Sequence, residues 1–224
     1  KGQPMIRHLP MFLSGLTAGR SLPSVAPQPF RDILPTIKQD VPNPKGKIAI
    51  FTGCLLDFVY VDIATDVVKA LNMAGYIVEM PLGQACCGAP ATYMGDVENA
   101  KKAAEMNLNA MEAEKYDYIV SACPTCTHAL RDYVDFFKDD PEMLKKAEAL
   151  RSKTFDFCKL VSMLGGLPDT GDGVPMKVTY HDSCHLNRYL GVTKEQRELL
   201  KATKGVELIE MHDCDKCCGF GGSY

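Results

Sequence analysis

No run in these 224 residues approaches the eighteen or more consecutive apolar positions that a membrane-spanning helix needs, and no charged start with a cleavage site marks a signal peptide. The chain itself is therefore expected to be soluble and cytoplasmic, with membrane contact at most indirect or peripheral at the inner face. A surplus of one charge is missing too. The 25 basic side chains stand against 28 acidic ones, so the electrostatic footprint of a nucleic-acid binder is absent. There is no Gly-rich nucleotide loop, no GxSxG, no HExxH and no CxxCH. Nothing here argues for a flavin, nicotinamide, hydrolase or haem site within this chain. Hydride chemistry would have to belong to a partner.

What the chain has in quantity is cysteine, ten in all. Cys54 is followed after thirty-one residues by the pair Cys86-Cys87, and after thirty-five more by Cys123-Pro-Thr-Cys126. A second set opens the same way, with Cys184, thirty-two residues, and Cys217-Cys218 before a glycine. Disulfide-built secreted scaffolds are short and loop-rich, whereas this chain has long Ala-, Leu- and Lys-rich stretches and 46% hydrophobic residues, enough for a core. Adjacent cysteines can join each other only through a strained peptide. A reducing compartment and a role as thiolate ligands follow. Thiolates are soft donors that favour iron-sulfur clusters, zinc or copper(I).

Residues 1–46 carry eight of the fourteen prolines and read as an extended arm or linker draped over the body, with a short apolar face from Met5 to Leu16. From Lys47 short apolar runs alternate with helical periods, the pattern of a parallel α/β sheet. Strands are expected at 47–52, 76–80 and 118–121. Helices are expected over residues carrying Ile63, Val67, Leu71 and Ala74, then at 96–113, 127–137, 141–151 and 155–164. Gly75 should end the first of these. After a break at 168–175 the scheme restarts with a strand at 177–180, Cys184, a helix at 194–202, Gly205 and a strand at 207–211. Cys54 and Cys184 are 130 residues apart and Cys86 and Cys217 are 131 apart. This internal repeat predicts two similar Rossmann-like domains with parallel sheets, a first at 47–167 and a second, truncated, at 168–224. A start at Lys1 and a stop at Tyr224 suggest a longer native chain.

In parallel α/β sheets ligands bind beyond the carboxyl ends of strands, and each cysteine of interest falls a few residues after a predicted strand. Cys54, Cys86, Cys87, Cys123 and Cys126 should therefore meet at one sheet edge. Gly53 and Gly88 suit tight turns beside a bulky cluster, and Pro124 removes a donor where a helix starts. Five buried structural thiols would explain the set differently, but such thiols do not recur at strand ends in two halves. Zinc stays open, since four of the sulfurs suffice for it, although zinc sites usually draw on two spaced pairs. In the second half Cys184, Cys217 and Cys218 are candidate ligands, with Cys214 either a substitute for a missing ligand or a loop thiol.

Phe-Thr-Gly-Cys54, Gln-Ala-Cys86-Cys87-Gly88, Ser-Ala-Cys123-Pro-Thr-Cys126, Tyr180-His-Asp-Ser-Cys184-His-Leu and Cys217-Cys218-Gly219-Phe-Gly-Gly resemble the cysteine-rich CCG domain family over residues 47–224. Within it the sequence looks most like the iron-sulfur subunits of lactate and glycolate oxidation complexes, with the CCG-containing subunit of heterodisulfide reductase more distant. The resemblance implies a non-catalytic electron carrier. It would hold a 4Fe-4S cluster, serve a flavin dehydrogenase subunit that oxidises a 2-hydroxy acid, and pass electrons towards a quinone pool. It also implies a ferredoxin-type cluster module upstream, in the same native chain or beside it. The full five-cysteine motif is associated with a non-cubane four-iron cluster in the heterodisulfide branch, where reduction of a disulfide at the cluster is the alternative activity. A zinc-stabilised interaction module is the other alternative. The second half departs from the pattern, because no CxxC follows Cys218.

Of the remaining candidates, Cys158 reads as core filler among Phe155, Phe157, Leu160 and Val161. His181, Asp182 and His185 flank Cys184 and either tune a cluster through hydrogen bonds or serve as surface and capping residues. Asp139-Asp140 and Lys145-Lys146 read as a solvated helix boundary. Met73, Met80, Met94, Met106 and Met111 read as core or subunit-contact residues.

Overall fold

The computed structural model describes residues 23–168 and 173–218. The apolar face expected between Met5 and Leu16, part of the break before Gly173, and Gly219 lie outside the described residues. Strand β1 (Gly46–Ile50) lies between β2 (Tyr76–Glu79) and β3 (Tyr118–Ser121), and β4 (Thr154–Asp156) pairs with β3, giving the order β2-β1-β3-β4. All three pairings are parallel, with Ile48 opposite Val78 on one side and Tyr118 on the other. The chain is α/β, as its apolar pattern predicts.

Alternation along β1 splits the core in two. Ile48 and Ile50 join Val67, Val68, Leu71, Val78 and Val120 on one face of the sheet, while Ala49 and Phe51 join Leu108, Met111, Ile119 and Leu130 on the other. Helices α1 (Phe30–Ile33), α2 (Gly53–Phe58), α3 (Val61–Met73) and α8 (Phe157–Met163) contribute to the first layer. Helices α4 (Ala89–Tyr93), α5 (Val97–Met111), α6 (Pro124–Asp132) and α7 (Pro141–Lys153) contribute to the second. Gly75, at φ +95°, closes α3, where its N–H donates to Asn72 O at 2.9 Å. Asp96 and Asp140 cap α5 and α7 through backbone N–H groups of Asn99 and Met143.

Three details differ from the sequence expectation. The buried stripe of α3 is Ala64, Val67, Val68 and Leu71, and Ile63 lies 45% exposed. One residue's shift turns a helical side chain by about 100°, enough to move it off the stripe. Residues 155 and 156, expected to open the helix over 155–164, instead form β4 together with Thr154, because Thr154 and Asp156 pair with β3 at Ile119 and Ser121. The segment expected as one helix over 127–137 is α6 followed by a tighter turn at Tyr133–Phe136. Among the methionines, Met111 is buried and Met94 and Met106 are exposed.

Residues 30–39, before β1, are tied to α2 and to the sheet. Phe30 is fully buried, and Arg31 pairs through its guanidinium and its backbone N–H with the buried carboxylate of Asp57. The Gln39 side chain accepts the Val78 N–H and donates to the Val78 carbonyl, both at 2.8 Å. That double contact occupies the open edge of β2, which would otherwise present unpaired backbone groups.

The second half is smaller. Strands β5 (Met176–Val178) and β6 (Val206–Leu208) form a separate parallel pair, with Met176 opposite Val206. Helix α9 (Glu195–Ala202) packs on β6 and against α8, and Lys159 and Glu195 bridge the halves at 2.7 Å. No helix among the described residues is long and apolar enough to cross a membrane.

Candidate metal centre

The first five cysteines arrive from three strand ends. Cys54 lies in the first turn of α2 after β1, Cys86-Cys87 precede α4 in the loop after β2, and Cys123 and Cys126 open α6 after β3. Their sulfurs form a continuous series of contacts: Cys54 to Cys86, Cys86 to Cys87, Cys87 to Cys126, and Cys126 to Cys123. Cys54 and Cys86 are exposed, Cys87 and Cys126 buried, so the site has an open and a closed end.

Backbone geometry makes the approach possible. Gly53 sits at φ +57°, and a Cβ there would lie 2.8 Å from Cys126 Sγ; Gly88, at φ +81°, would meet the Ala100 carbonyl at 3.2 Å. Any side chain at Gly53 would displace a sulfur. Pro124 occupies the first turn of α6, where its missing N–H costs no helical bond.

Charge is distributed unevenly over the five sulfurs. The Cys86 thiol is pulled far down by hydrogen bonds from the Cys54 and Cys87 thiols, with the Gly88 and Cys87 N–H groups helping. Cys123 is drawn down to about 7, first by the Cys126 thiol and further by the N–H groups of Cys126 and Thr125. Cys126 is pushed up by Cys123, Cys87 and burial. For Cys87 the bond to Cys126 lowers the value, but Cys86 and burial prevail and hold it up at about 12. Cys54 is raised by its bond to Cys86 and by burial.

Three buried polar residues outside the cysteine pattern hold this loop. Gln84 accepts the Thr52 N–H at 3.3 Å and donates to the Ile50 carbonyl at 2.8 Å, tying the end of β1 to the segment before Cys86. Asn107 accepts the Ala85 N–H at 2.8 Å and donates to the Cys86 carbonyl and the Tyr133 hydroxyl. Tyr133 in turn donates to the Cys87 carbonyl at 2.9 Å. Sequence reasoning missed all three, although one carries a signal: Asn107 falls on the stripe of Ala100, Ala104, Leu108 and Met111, where an unpaired amide would be costly.

The second set is placed differently. Cys184 and Cys217 are in hydrogen-bond contact, which raises the Cys184 thiol, while Cys217 and Cys218 are exposed. Cys214 donates to Asp182 and accepts from Arg197, each at 3.5 Å. Arg197 grips both Asp182 oxygens at 2.9 Å and Glu210 at 2.7 and 3.0 Å. His181 meets the Lys216 carbonyl at 2.8 Å. His185, next to Cys184, reaches the other half: its Nε2 is 2.8 Å from the Tyr93 hydroxyl and its Nδ1 3.4 Å from the hydroxyl of Thr125 in the CxxC turn.

Among the described residues, no group of three or more His, Cys, Asp or Glu donors is already arranged about a point as one metal ion requires. The donor set nonetheless suits an iron-sulfur group: five soft sulfurs from separate strand ends, one glycine without room for a side chain, and backbone N–H groups aimed at sulfur. Zinc would draw four of these sulfurs round one centre.

The cysteine-rich domain model named CCG matches residues 48–131 and 178–224. The chain belongs to this family. Similar proteins include Lactate utilization protein A of Bacillus velezensis, 38% identical over 178 residues, and that of Bacillus subtilis, 36% identical over 178 residues. Each alignment covers 80% of this chain and 74% of the relative. Lactate utilization protein A of Geobacillus thermodenitrificans is 33% identical over the same coverage.

Proposed function

We propose that this CCG protein is the iron-sulfur electron-transfer subunit of a lactate-utilization complex, and that Cys54, Cys86, Cys87, Cys123 and Cys126 hold a four-iron cluster, non-cubane if all five sulfurs bind. The observation that carries the reading is the unbroken series of sulfur contacts joining three strand ends. When bound, the cluster would accept and release single electrons. The protein's part is to supply thiolates, to aim N–H groups at Cys86 and Cys123, and to keep water from Cys87 and Cys126 while leaving Cys54 and Cys86 open towards a partner. Hydrogen bonds to sulfur and burial set the potential of such a site.

The electron source is a flavin dehydrogenase subunit acting on lactate or another 2-hydroxy acid, and the destination is a quinone pool. A ferredoxin-type module supplies further relay centres. We place the complex in the cytoplasm, peripheral at the inner face of the membrane. Residues 47–167 and 168–224 act as two related domains, Cys184, Cys217 and Cys218 forming the second, incomplete site.

Anaerobic iron and sulfide analysis with EPR of oxidised and reduced protein tests the cofactor. Brown protein with about four irons per loaded site supports it, and colourless protein with one zinc replaces it with the interaction-module reading. Cys87→Ser and Cys126→Ser should abolish acceptor-linked lactate oxidation while the flavin partner still reduces an artificial dye. Unchanged quinone-linked rates in both variants would refute the relay.

A further inference from the structure

Three carboxylates are almost completely buried among the described residues: Asp57, Asp156 and Asp182. Two of them are neutralised, Asp57 by Arg31 and Asp182 by Arg197. Asp156, 5% exposed, has no cation beside it among the described residues. Its carboxylate accepts the N–H groups of Cys158 and Lys159 at 2.9 and 3.4 Å, while the Lys159 ammonium turns to Glu195 at 2.7 Å. The other titratable groups that face it are Cys158 on its own helix α8, Glu195 on α9, Tyr180 after β5 and Cys123 ahead of α6, and none can carry a positive charge. Capping α8 does not call for the charge either, since serine, threonine or asparagine would bond the same N–H groups. Burial outweighs those bonds and lifts the Asp156 carboxyl to about 6, so its ionised form costs stability at neutral pH. A buried charge that the fold neither neutralises nor needs commonly marks a functional site.

Its place in the sheet shows where that charge acts. Strand β4 runs parallel to β3 with Asp156 opposite Ser121, the last residue of each strand, and Cys123 follows two residues after Ser121. The Cys123 N–H donates to Ser121 Oγ at 3.2 Å, which ties the sulfur-bearing loop to that strand end. A cavity of about 700 Å³ on the seam between the two halves has Asp156, Ala122 and Pro124 on its wall, so the carboxylate and the residues on either side of Cys123 border one space. The Cys123 thiol, drawn down first by Cys126, is pushed the other way by Asp156, as one negative charge resists another forming nearby.

We propose that Asp156 is the fixed charge that governs the first cysteine set: ionised, it favours cations at the sulfurs and opposes the arrival of an electron, and so keeps the potential of a cluster there low. The electron half of this rests on the four-iron reading of the site; the cation half does not. One electron taken from the flavin partner adds one negative charge at the sulfurs and needs no proton. A carboxylate nearby makes that uptake less favourable without taking part in it.

Asp156→Asn and Asp156→Ser keep an acceptor for the α8 cap and remove the charge. Both are compared with the parent by anaerobic redox titration followed by EPR, buffered well above the value of about 6 that burial gives the Asp156 carboxyl. The midpoint of the first-site signal should rise in each by roughly 59 mV, a tenfold change in one-electron uptake from one uncompensated charge several ångströms away. Two neutral side chains of different shape that shift alike report charge and not a disturbed cap, and melting followed by circular dichroism shows that both are folded. A midpoint that stays or falls in either variant at equal iron content overturns the proposal and leaves the cluster in place. Cobalt(II) reads the same charge without iron. Its binding to the reduced, metal-free chain, followed through the thiolate charge-transfer band and counted as the part lost in Cys126→Ser, should be roughly tenfold weaker in both neutral variants. Equal cobalt affinities overturn the role of Asp156. Weaker cobalt binding by the variants of a protein that carries no iron keeps the charge at the sulfurs and sinks the cluster with its potential.

Discussion

The two cysteine sets share a spacing and differ in enclosure: Cys87 and Cys126 are buried in one of the two core layers that cover a four-stranded sheet, whereas Cys217 and Cys218 are exposed beside a pair of three-residue strands. The first set is positioned by Gln84, Asn107 and Tyr133, neutral groups that bond the backbone on either side of the sulfurs. The second is surrounded by the Arg197, Asp182 and Glu210 ion network, two members of which, Arg197 and Asp182, also engage Cys214. Equal ligand spacing therefore does not give an equal site. A preformed cradle spends its ordering entropy during folding, while an open one must spend it when the ligand binds.

The sharpest test of this asymmetry compares one serine substitution in each set. Cys126→Ser should remove most of the bound iron and the EPR signal of the first site, because Cys126 bonds both Cys87 and Cys123. Cys217→Ser should leave that signal intact. Iron lost equally from both variants would mean that the halves do not load independently.

Much of the first site was legible in the sequence, because cysteine spacing and the strand pattern are both local, and the tendency of parallel sheets to bind ligands beyond their strand ends converts them into a common rim. Strand Tyr118–Ser121 is found where its apolar run predicts, and Gly75 ends its helix as expected. What was hidden depends on distant partners. Strand β4 is three residues long and has no apolar period of its own; pairing with β3 defines it. Asp57 resembles any helical acid until Arg31, twenty-six residues earlier, is laid beside it. Cys158 reads as core filler, yet it is only partly buried and lines the cavity on the seam, an arrangement that only the packing of α9 creates.

Acid should push the two halves in opposite directions. Burial raises the Asp156 carboxyl from 3.8 to about 6, with N–H groups of Cys158 and Lys159 opposing. The folded protein therefore takes up a proton here between about pH 6 and pH 4, gains stability as pH falls through that window, and lacks it above. Asp156→Asn keeps an acceptor for the helix cap without the charge. It should be the more stable form at neutral pH by up to about 3 kcal/mol, with the advantage fading towards pH 4 in urea titrations. A constant difference across that range would remove Asp156 as the source.

Asp182 and Glu210 are held below their ordinary values, chiefly by the Arg197 guanidinium, so what they contribute is present above the unfolded carboxylate range and disappears as pH falls through the folded values. Arg197→Met should cost about 2 kcal/mol through lost charged hydrogen bonds. Amide exchange should quicken in β5, β6 and α9 while β1 and β3 stay protected. Faster exchange throughout would show that the second half cannot loosen on its own.

The smallest effect asks whether the cradle of the first site is preformed. Tyr133→Phe removes a hydroxyl that accepts from Asn107 and donates to the Cys87 carbonyl, and leaves the ring in the core. Two modest hydrogen bonds are lost, and Asn107 keeps its bonds to Ala85 and Cys86, so unfolding free energy should fall by about 1–2 kcal/mol. The five sulfurs are untouched, and iron content at saturation should be unchanged. Reconstitution from iron and sulfide should slow, because the Cys86-Cys87 loop must now be ordered by the ligand. A variant that refolds and loads iron as fast as the parent would place the cradle in the sulfurs alone and reduce the buried polar residues to packing.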